Sequence, residues 1–496
     1  MAGDIFRIMI ATDNHLGYYE RDQVRKDDSF RAVEEVLSKS LSENVDFLLL
    51  GGDLFHEHNP TKYTLNRTFR LFADYVVGQR PLNFETLSTY TNLNYLNPSI
   101  DIKLPVFIVH GNHDDPSMDT HISAVNLMQN AHYVNYIYAE QTEETIQIKP
   151  IILKKGTTLL AIYGLGHLKD EKLNRYFKED AVKFLPPPDA NKYFHICVIH
   201  QNRFKGHSLG APAKNCVMDW QLPKFIDLVI WGHEHDSYPE VRTPDGAGYV
   251  ILQPGSTVAT SLTEGEALQK HMFLLEVKNL GYRHRGIPIA NTRPILYKQI
   301  ELDSMCSNAL EAEEFLTQIF NEMLAETPAS PLMPPLARIK VECSGFEELR
   351  VFHLNSIFSE KVANKDVICT WKKAHASQDT SKVVQTNSGY GDILQILEED
   401  ANELNDGCSV FHPEEFVEYT RNVALKGDNK ALEHLFDAKK QMAINLLNTL
   451  IPQEYDELAM DRLISNLDIK NSEPTFKRQA SPKTSSKKSG KKIKNT

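Results

Sequence analysis

An α/β fold is what this 496-residue sequence predicts. Two observations carry the prediction. Short, near-continuous apolar runs rich in Ile, Val, Leu and Phe recur through the first ~290 residues, as expected of strands covered on both faces. Between them lie segments with apolar residues at i, i+3 and i+4, the spacing of amphipathic helices, and this alternation marks an α/β domain.

The first strand is Ile5 to Ala11, and Phe30, Val33, Val36, Leu37 and Leu41 place a helix between it and the second strand, Phe47 to Leu50. Helices are predicted over Thr61 to Val77 and His121 to Gln129, on either side of a strand at Val106 to Val109. Strands follow at His195 to Ile199, Leu228 to Trp231, Tyr249 to Leu252 and His271 to Val277, and the pattern breaks around Pro288 to Pro294. Residues 1–294 form the expected main domain.

A smaller α+β unit is expected over 295–405. It has a strand at Ile295 to Leu302, a helix near Ala309 to Leu324, a Pro-rich loop and a strand at Arg338 to Cys343. Residues 406–470 read as helices broken at Gly427 and Pro452, with an apolar stripe of Leu432, Leu435, Phe436, Met442, Leu446 and Leu450. Residues 471–496 read as a disordered basic tail, because Thr475 to Thr496 holds many Lys and Arg and no acid.

Composition narrows the class. A net charge of −12 disfavours a passive nucleic-acid binder, although the tail suits phosphate contact. The six cysteines lack CxxC pairs, which argues against a zinc ribbon or a secreted disulfide scaffold. No apolar stretch approaches the roughly 20 residues of a membrane span and the first ten residues lack a signal pattern, so the expectation is a soluble, intracellular protein without a membrane partner.

Chemistry is concentrated at the strand ends. Five of these runs lead into Asp13-Asn14-His15, Gly51-Gly52-Asp53, Gly111-Asn112-His113-Asp114, His200, and Gly232-His233-Glu234-His235. Ligands of open α/β sheets bind at carboxyl ends of strands, so these groups are expected to converge on one edge of one sheet. Mixed imidazole, carboxylate and amide donors suit Mn, Fe or Zn better than Mg or Ca. Two divalent ions ~3.5 to 4 Å apart stabilise both ends of an in-line phosphoryl displacement, and Asp53 is the candidate bridge. The expected metal ligands are Asp13, His15, Asp53, Asn112, His200, His233 and His235. His113 is the candidate proton donor, with Asp114 orienting it. Any one of these motifs alone is weak; five in order leave little room for coincidence.

The order DxH, GD, GNHD, H, GHxH resembles the calcineurin-like metallophosphoesterases. The longer strings Asp13 to Gly17, Leu49 to His56, His110 to Pro116, Tyr163 to Gly166, Ile199 to Arg203, Ile230 to His235 and Gln253 to Ser256 are similar to those of nuclease subunits of MRN-type, SbcCD-like double-strand-break repair complexes. The similarity extends to Arg338 to Glu342 and Val362 to Asp366.

That resemblance implies a metallophosphoesterase β-sandwich flanked by helices, a capping domain over 295–405 that selects DNA, and C-terminal helices. It implies two manganese ions, one on Asp13, His15, Asp53 and His235 and the other on Asp53, Asn112, His200 and His233. The implied activity is manganese-dependent 3′–5′ exonuclease and single-strand endonuclease cleavage in double-strand-break repair, in a nuclear protein that also serves meiosis. Implied partners are DNA, an SMC-like ABC ATPase docking on 406–470, a nibrin-type subunit on 83–104, and a second copy through helices 61–77 and 121–129. The alternatives are a phosphatase or phosphodiesterase of the same fold and a catalytically silent scaffold; the Asn202-Arg203 pair, the capping unit and the tail favour DNA over a compact phosphoester.

Overall fold

The computed structural model describes residues 2–373 except 89–91, 117–121, 143, 205–215, 303–304, 307, 327–332, 344–350 and 365–367. The expected helices of 406–470, the tail of 471–496, part of the cap range and His121, Lys365 and Asp366 therefore lie outside the described residues.

Two six-stranded sheets form the main body. In the first, Phe6–Ala11, Phe47–Leu50, Val106–Ile108 and Asn135–Tyr136 run parallel, with His271–Lys278 antiparallel beside Phe6–Ala11 and Gly281–Pro288 at the edge. In the second, Thr158–Leu165, Phe194–His200, Leu228–Gly232 and Val250–Leu252 are parallel, and Ile151–Lys155 and Glu85–Thr86 complete an antiparallel edge.

Alternation along each strand explains the layers, because successive side chains leave opposite faces. Ile8, Ile10, Phe47 and Leu49 of the first sheet share one core with Ile196, Val198, Leu228 and Ile230 of the second. Met9, Leu48, Leu50 and Ile108 face the other way, onto Phe30, Val33 and Val36 of helix Asp28–Ser42, Phe72 of helix Lys62–Val76, and Val125 and Met128 of helix Ala124–Asn130. Cys197, Ile199, Val229 and Trp231 meet Leu173 and Tyr176 of helix Asp170–Lys178. The result is a mixed α/β sandwich of two facing sheets with helices outside. The expectation of one sheet was wrong, for a physical reason: an apolar run reports that both faces of a strand are covered, not whether a helix or a second sheet covers them.

Three further parallel strands, Ile295–Glu301, Leu336–Cys343 and Cys369–Lys373, form a separate sheet with its own core. Ile300, Ile339 and Val341 pack there against Leu316 and Phe320 of helix Ala309–Glu326 and against Leu354 and Phe358 of helix Val351–Ser359.

Two surface readings change. In the helices expected to meet a second copy, Phe72, Val125 and Met128 are buried in the chain's own core, while Leu65 and Phe69 pack against it half-buried. The segment 83–104 serves the chain itself in part: Glu85–Thr86 extends the second sheet, and buried Asn94 binds Asn135 and the carbonyl of His132. Leu87 and Leu96 stay exposed.

Candidate metal centre

Both sheets contribute to one cluster at their carboxyl edges. The loops after Ala11 and Leu50 run side by side: the N–H groups of Asp13, Asn14 and His15 donate to the carbonyls of Gly52 and Asp53 at 2.9–3.0 Å. Asn112 and His113 enter from the third strand of the first sheet, and His200 and His233 from the second sheet.

The backbone at these ends is unusual. Asp13, His15, Asp53 and His233 have φ of 51°, 46°, 49° and 76°, a left-handed region that costs L-residues energy and that clusters at functional sites. Gly111 is needed for a steric reason, since a Cβ there would fall 2.0 Å from Asp53 Oδ1.

All seven candidate donors meet. Asp13, His15 and His235 form one tight set and Asp53, His200 and His233 another. Asp53 Oδ2 lies 3.9 Å from His15 Nε2 and 3.4 Å from His200 Nε2, between the two sets. Asn112 Oδ1 is 2.8 Å from His233 Nδ1 and 3.3 Å from His200 Nε2.

The outer contacts leave lone pairs pointing inward. His200 Nδ1–H donates to the Gly51 carbonyl at 2.8 Å, His233 Nε2–H to Asn202 Oδ1 at 2.8 Å, and His235 Nδ1–H to Glu266 Oε1 at 2.9 Å. Each of these rings thus spends its outer nitrogen on a protein oxygen and turns the other to the centre, as metal-ligating imidazoles do. His15 and His235 face each other Nε2 to Nε2 at 3.2 Å, and His233 Nδ1 faces an amide oxygen; with His235 in its deprotonated, metal-ligating form these are contacts between two acceptors that a cation between them relieves. Asp13 Oδ2 accepts from Thr12 Oγ1 and the His233 N–H, whereas its buried Oδ1 has no hydrogen-bond partner. This donor set fits divalent cations.

Electrostatics agree. Burial works against charge on His200 and His235, but Asp53 and Asp13 outweigh it at His200, holding it up to about 9, and the facing carboxylates of Asp13 and Glu266 hold His235 up to about 10. Burial pushes His15 down to about 3 and His233 down to about 4. Although burial opposes ionisation of Asp13 and Asp53, the facing histidines keep both below the usual carboxylate range. Two buried carboxylates thus hold positive charge close by, the place metal ions would take.

His113 lies beside the cluster, its ring 5.0 Å from that of His15 and stacked 5.1 Å from His56. Its Nδ1–H donates to the His56 carbonyl and its backbone N–H to Asp53 Oδ1. Asp114 does not orient it. That buried carboxylate accepts from the backbone N–H groups of Leu54 and Gly111, tying two loops together; burial and the charge of Asp53 raise it to about 7. The Asn202-Arg203 pair also turns inward: Asn202 holds His233 and Asp170, and buried Arg203 lies over Trp231.

Residues outside the expected set complete the centre. His56 groups with His15 and His113; it lies three positions after Asp53, where strand-end spacing alone assigns it nothing. Glu266, 2 % exposed at its side chain, accepts from His235, from Thr260 Oγ1 at 2.9 Å and from Lys270. It lies 31 residues past His235, and nothing local in the sequence signals it.

Residues 6–237 match the model of the calcineurin-like phosphoesterases. The chain is 36% identical over 431 residues to the double-strand break repair protein MRE11 of Arabidopsis thaliana, covering 81% of this chain and 58% of that protein. It is 34% identical to the protein of that name from Rattus norvegicus, covering 94% of this chain and 69% of the relative, and 35% identical to the Homo sapiens protein, covering 79% and 59%. The chain thus spans less than two thirds of the plant and human relatives. It belongs to the MRE11 family of double-strand break repair proteins, within the calcineurin-like phosphoesterases.

Proposed function

We propose that this chain is a manganese-dependent DNA nuclease that hydrolyses phosphodiesters with two ions per chain, as a 3′–5′ exonuclease and single-strand endonuclease in double-strand-break repair. The observation that carries the reading is Asp53 Oδ2 lying between two sets of inward-facing donors. When bound, two such ions supply a nucleophile at neutral pH and charge stabilisation at both ends of an in-line displacement. Asp13, His15, Asp53 and His235 would hold one, and Asp53, Asn112, His200 and His233 the other.

The chain's own residues do the rest. Carbonyls and carboxylates fix the tautomers of His200, His233 and His235, so the donors need no rearrangement. His113, with Nδ1–H committed to the His56 carbonyl, keeps Nε2 free to hold a proton for the leaving oxygen.

The assignment of 1–294 as nuclease domain, 295–405 as DNA-selecting cap, 406–470 as docking segment for an SMC-like ATPase and 471–496 as DNA-binding tail belongs to the same reading. So do a nibrin-type contact on 83–104, homodimerisation through the helices near 61–77 and 121–129, and action in the nucleus, including meiosis.

Cleavage of single-stranded DNA against dephosphorylation of a phosphopeptide, each titrated with manganese, tests it. DNA cleavage is expected, falling roughly 10²-fold or more in His113→Asn with manganese binding retained. Preference for the phosphopeptide would make the chain a phosphatase, and metal binding without either activity a scaffold.

A further inference from the structure

A cleft of about 650 Å³ opens beside the metal centre, lined by Tyr18, Tyr19, Asp22 and Arg25 from the loop after the first strand, Ser261 from the loop after Gln253 to Ser256, and Arg338 from the strand Leu336–Cys343 of the small sheet. Its wall is continuous with the centre. Tyr18 donates its hydroxyl to the Thr260 carbonyl, Thr260 Oγ1 lies 2.7 Å from His235 Nδ1, and the Tyr18 ring is 4.6 Å from that of His56.

Three arginines meet at this seam, and they differ. Arg293 uses four of its five N–H groups: it holds both oxygens of Asp28 at 2.7 Å and donates to the carbonyls of Val24 at 3.0 Å and Pro334 at 2.6 Å, pinning the loop before helix Asp28–Ser42 to the start of Leu336–Cys343. Arg25 and Arg338 have no ion pair among the described residues, and the Nε of each is buried without a hydrogen-bond partner. Arg25 is only 5 % exposed. The one carboxylate in the lining, Asp22, directs Oδ1 to the backbone N–H groups of Val24 and Arg25 at 2.7 and 3.0 Å.

The bland account of Arg25 is its stacking over Tyr19, with the guanidinium carbon 3.7 Å from the ring centroid. Stacking satisfies the face of the cation and Tyr18 meets part of its edge, but the Nε–H, which lies in the guanidinium plane, is buried without a partner. A buried cation with no ion pair and an unmet donor is costly unless a partner arrives. A planar donor fork held by an aromatic ring suits bidentate recognition of a phosphate.

We propose that Arg25 and Arg338 form a phosphodiester subsite that anchors a nucleic-acid strand beside the metal centre, clamped from both sides of the seam. This deepens the nuclease reading and rests on it for the identity of the strand. A cleft this size admits a phosphate with its sugar, and Tyr19 beside it can meet the sugar or base. Because Arg25 comes from the main body and Arg338 from the small sheet, strand binding and the packing of the small sheet against the main body are coupled.

Binding of a fluorescein-labelled oligothymidylate to the full chain in EDTA tests the subsite without metal or turnover. Arg25→Gln and Arg338→Gln should each weaken binding on the order of tenfold, and the double variant should flatten the slope of log K against log salt by about 0.7, one phosphate on a single strand. Arg25→Lys, which keeps charge but loses the fork, should bind several-fold more weakly than the wild type, and it carries the test should the glutamine variants fail to fold. Wild-type affinity and salt slope in a folded double variant, or wild-type affinity in Arg25→Lys, would overturn the subsite. If inorganic phosphate at constant ionic strength stabilises the wild type while oligonucleotide affinity is equal in all variants, the cleft takes a free anion and the strand assignment is overturned. Manganese-dependent DNA cleavage by the wild type, followed in parallel, separates failure of the nuclease reading from failure of this cleft.

Discussion

At the scale of single residues, the candidate donors were legible because each stands within a few positions of the end of an apolar run. Sequence spacing conveys where a backbone ends a strand, and Asp13, His15, Asp53, Asn112, His200, His233 and His235 meet on that basis alone. It does not convey which way a neighbouring side chain turns. Asp114 adjoins His113 in sequence yet spends its carboxylate on Leu54 and Gly111, and Asn202 holds His233 instead of facing outward. Glu266 was illegible because its link to His235 is purely tertiary. That link makes a prediction: Glu266→Gln loses the carboxylate that sets the His235 tautomer, so manganese affinity should fall about 10- to 100-fold. Isothermal titration at fixed pH checks it, and an unchanged affinity would reduce Glu266 to a packing role.

At the scale of elements, helix positions followed the apolar spacing closely. The helix expected over Thr61 to Val77 is Lys62–Val76, with Thr61 accepting from the Thr64 N–H at 3.2 Å as its cap. The strands Ile151–Lys155 and Thr158–Leu165 were not expected from the sequence, since Lys154 and Lys155 interrupt the apolar run of the first and the second is marked only by its Tyr163 to Gly166 motif. Burial also redirects the dimer proposal. With Phe72, Val125 and Met128 in the core, the available apolar surface near these helices includes half-buried Leu65 and Phe69, exposed Tyr63 and Val77, and Ile122 and Leu127, 58 % and 42 % exposed. Leu127→Asp should therefore shift the chain from dimer to monomer in sedimentation at micromolar concentration without lowering its melting temperature. A folded variant of unchanged mass places any dimer contact elsewhere.

At the scale of the whole molecule, the centre exists only because two sheets face each other, and that pairing is what periodicity could not reveal. The sandwich is also fastened away from the centre. Lys155 of the second sheet donates to both oxygens of Asp46 at 2.6 and 2.7 Å, and Asp46 Oδ2 accepts from the Arg7 N–H at 2.8 Å. Both members of the pair are buried. Removing one leaves an uncompensated charge, so Lys155→Ala should cost about 3 to 5 kcal/mol in chemical denaturation, while Lys155→Met with Asp46→Leu should cost much less.

The central claim is a dinuclear centre bridged by Asp53, assembled from both sheets. Counting manganese bound per chain, by calorimetry together with elemental analysis after equilibrium dialysis, tests it most directly in the wild type and in folded Asp53→Asn. Two ions in the wild type and loss of tight binding at both positions in Asp53→Asn is the expected result. One ion in the wild type, or two retained with unchanged affinity in Asp53→Asn, would contradict it.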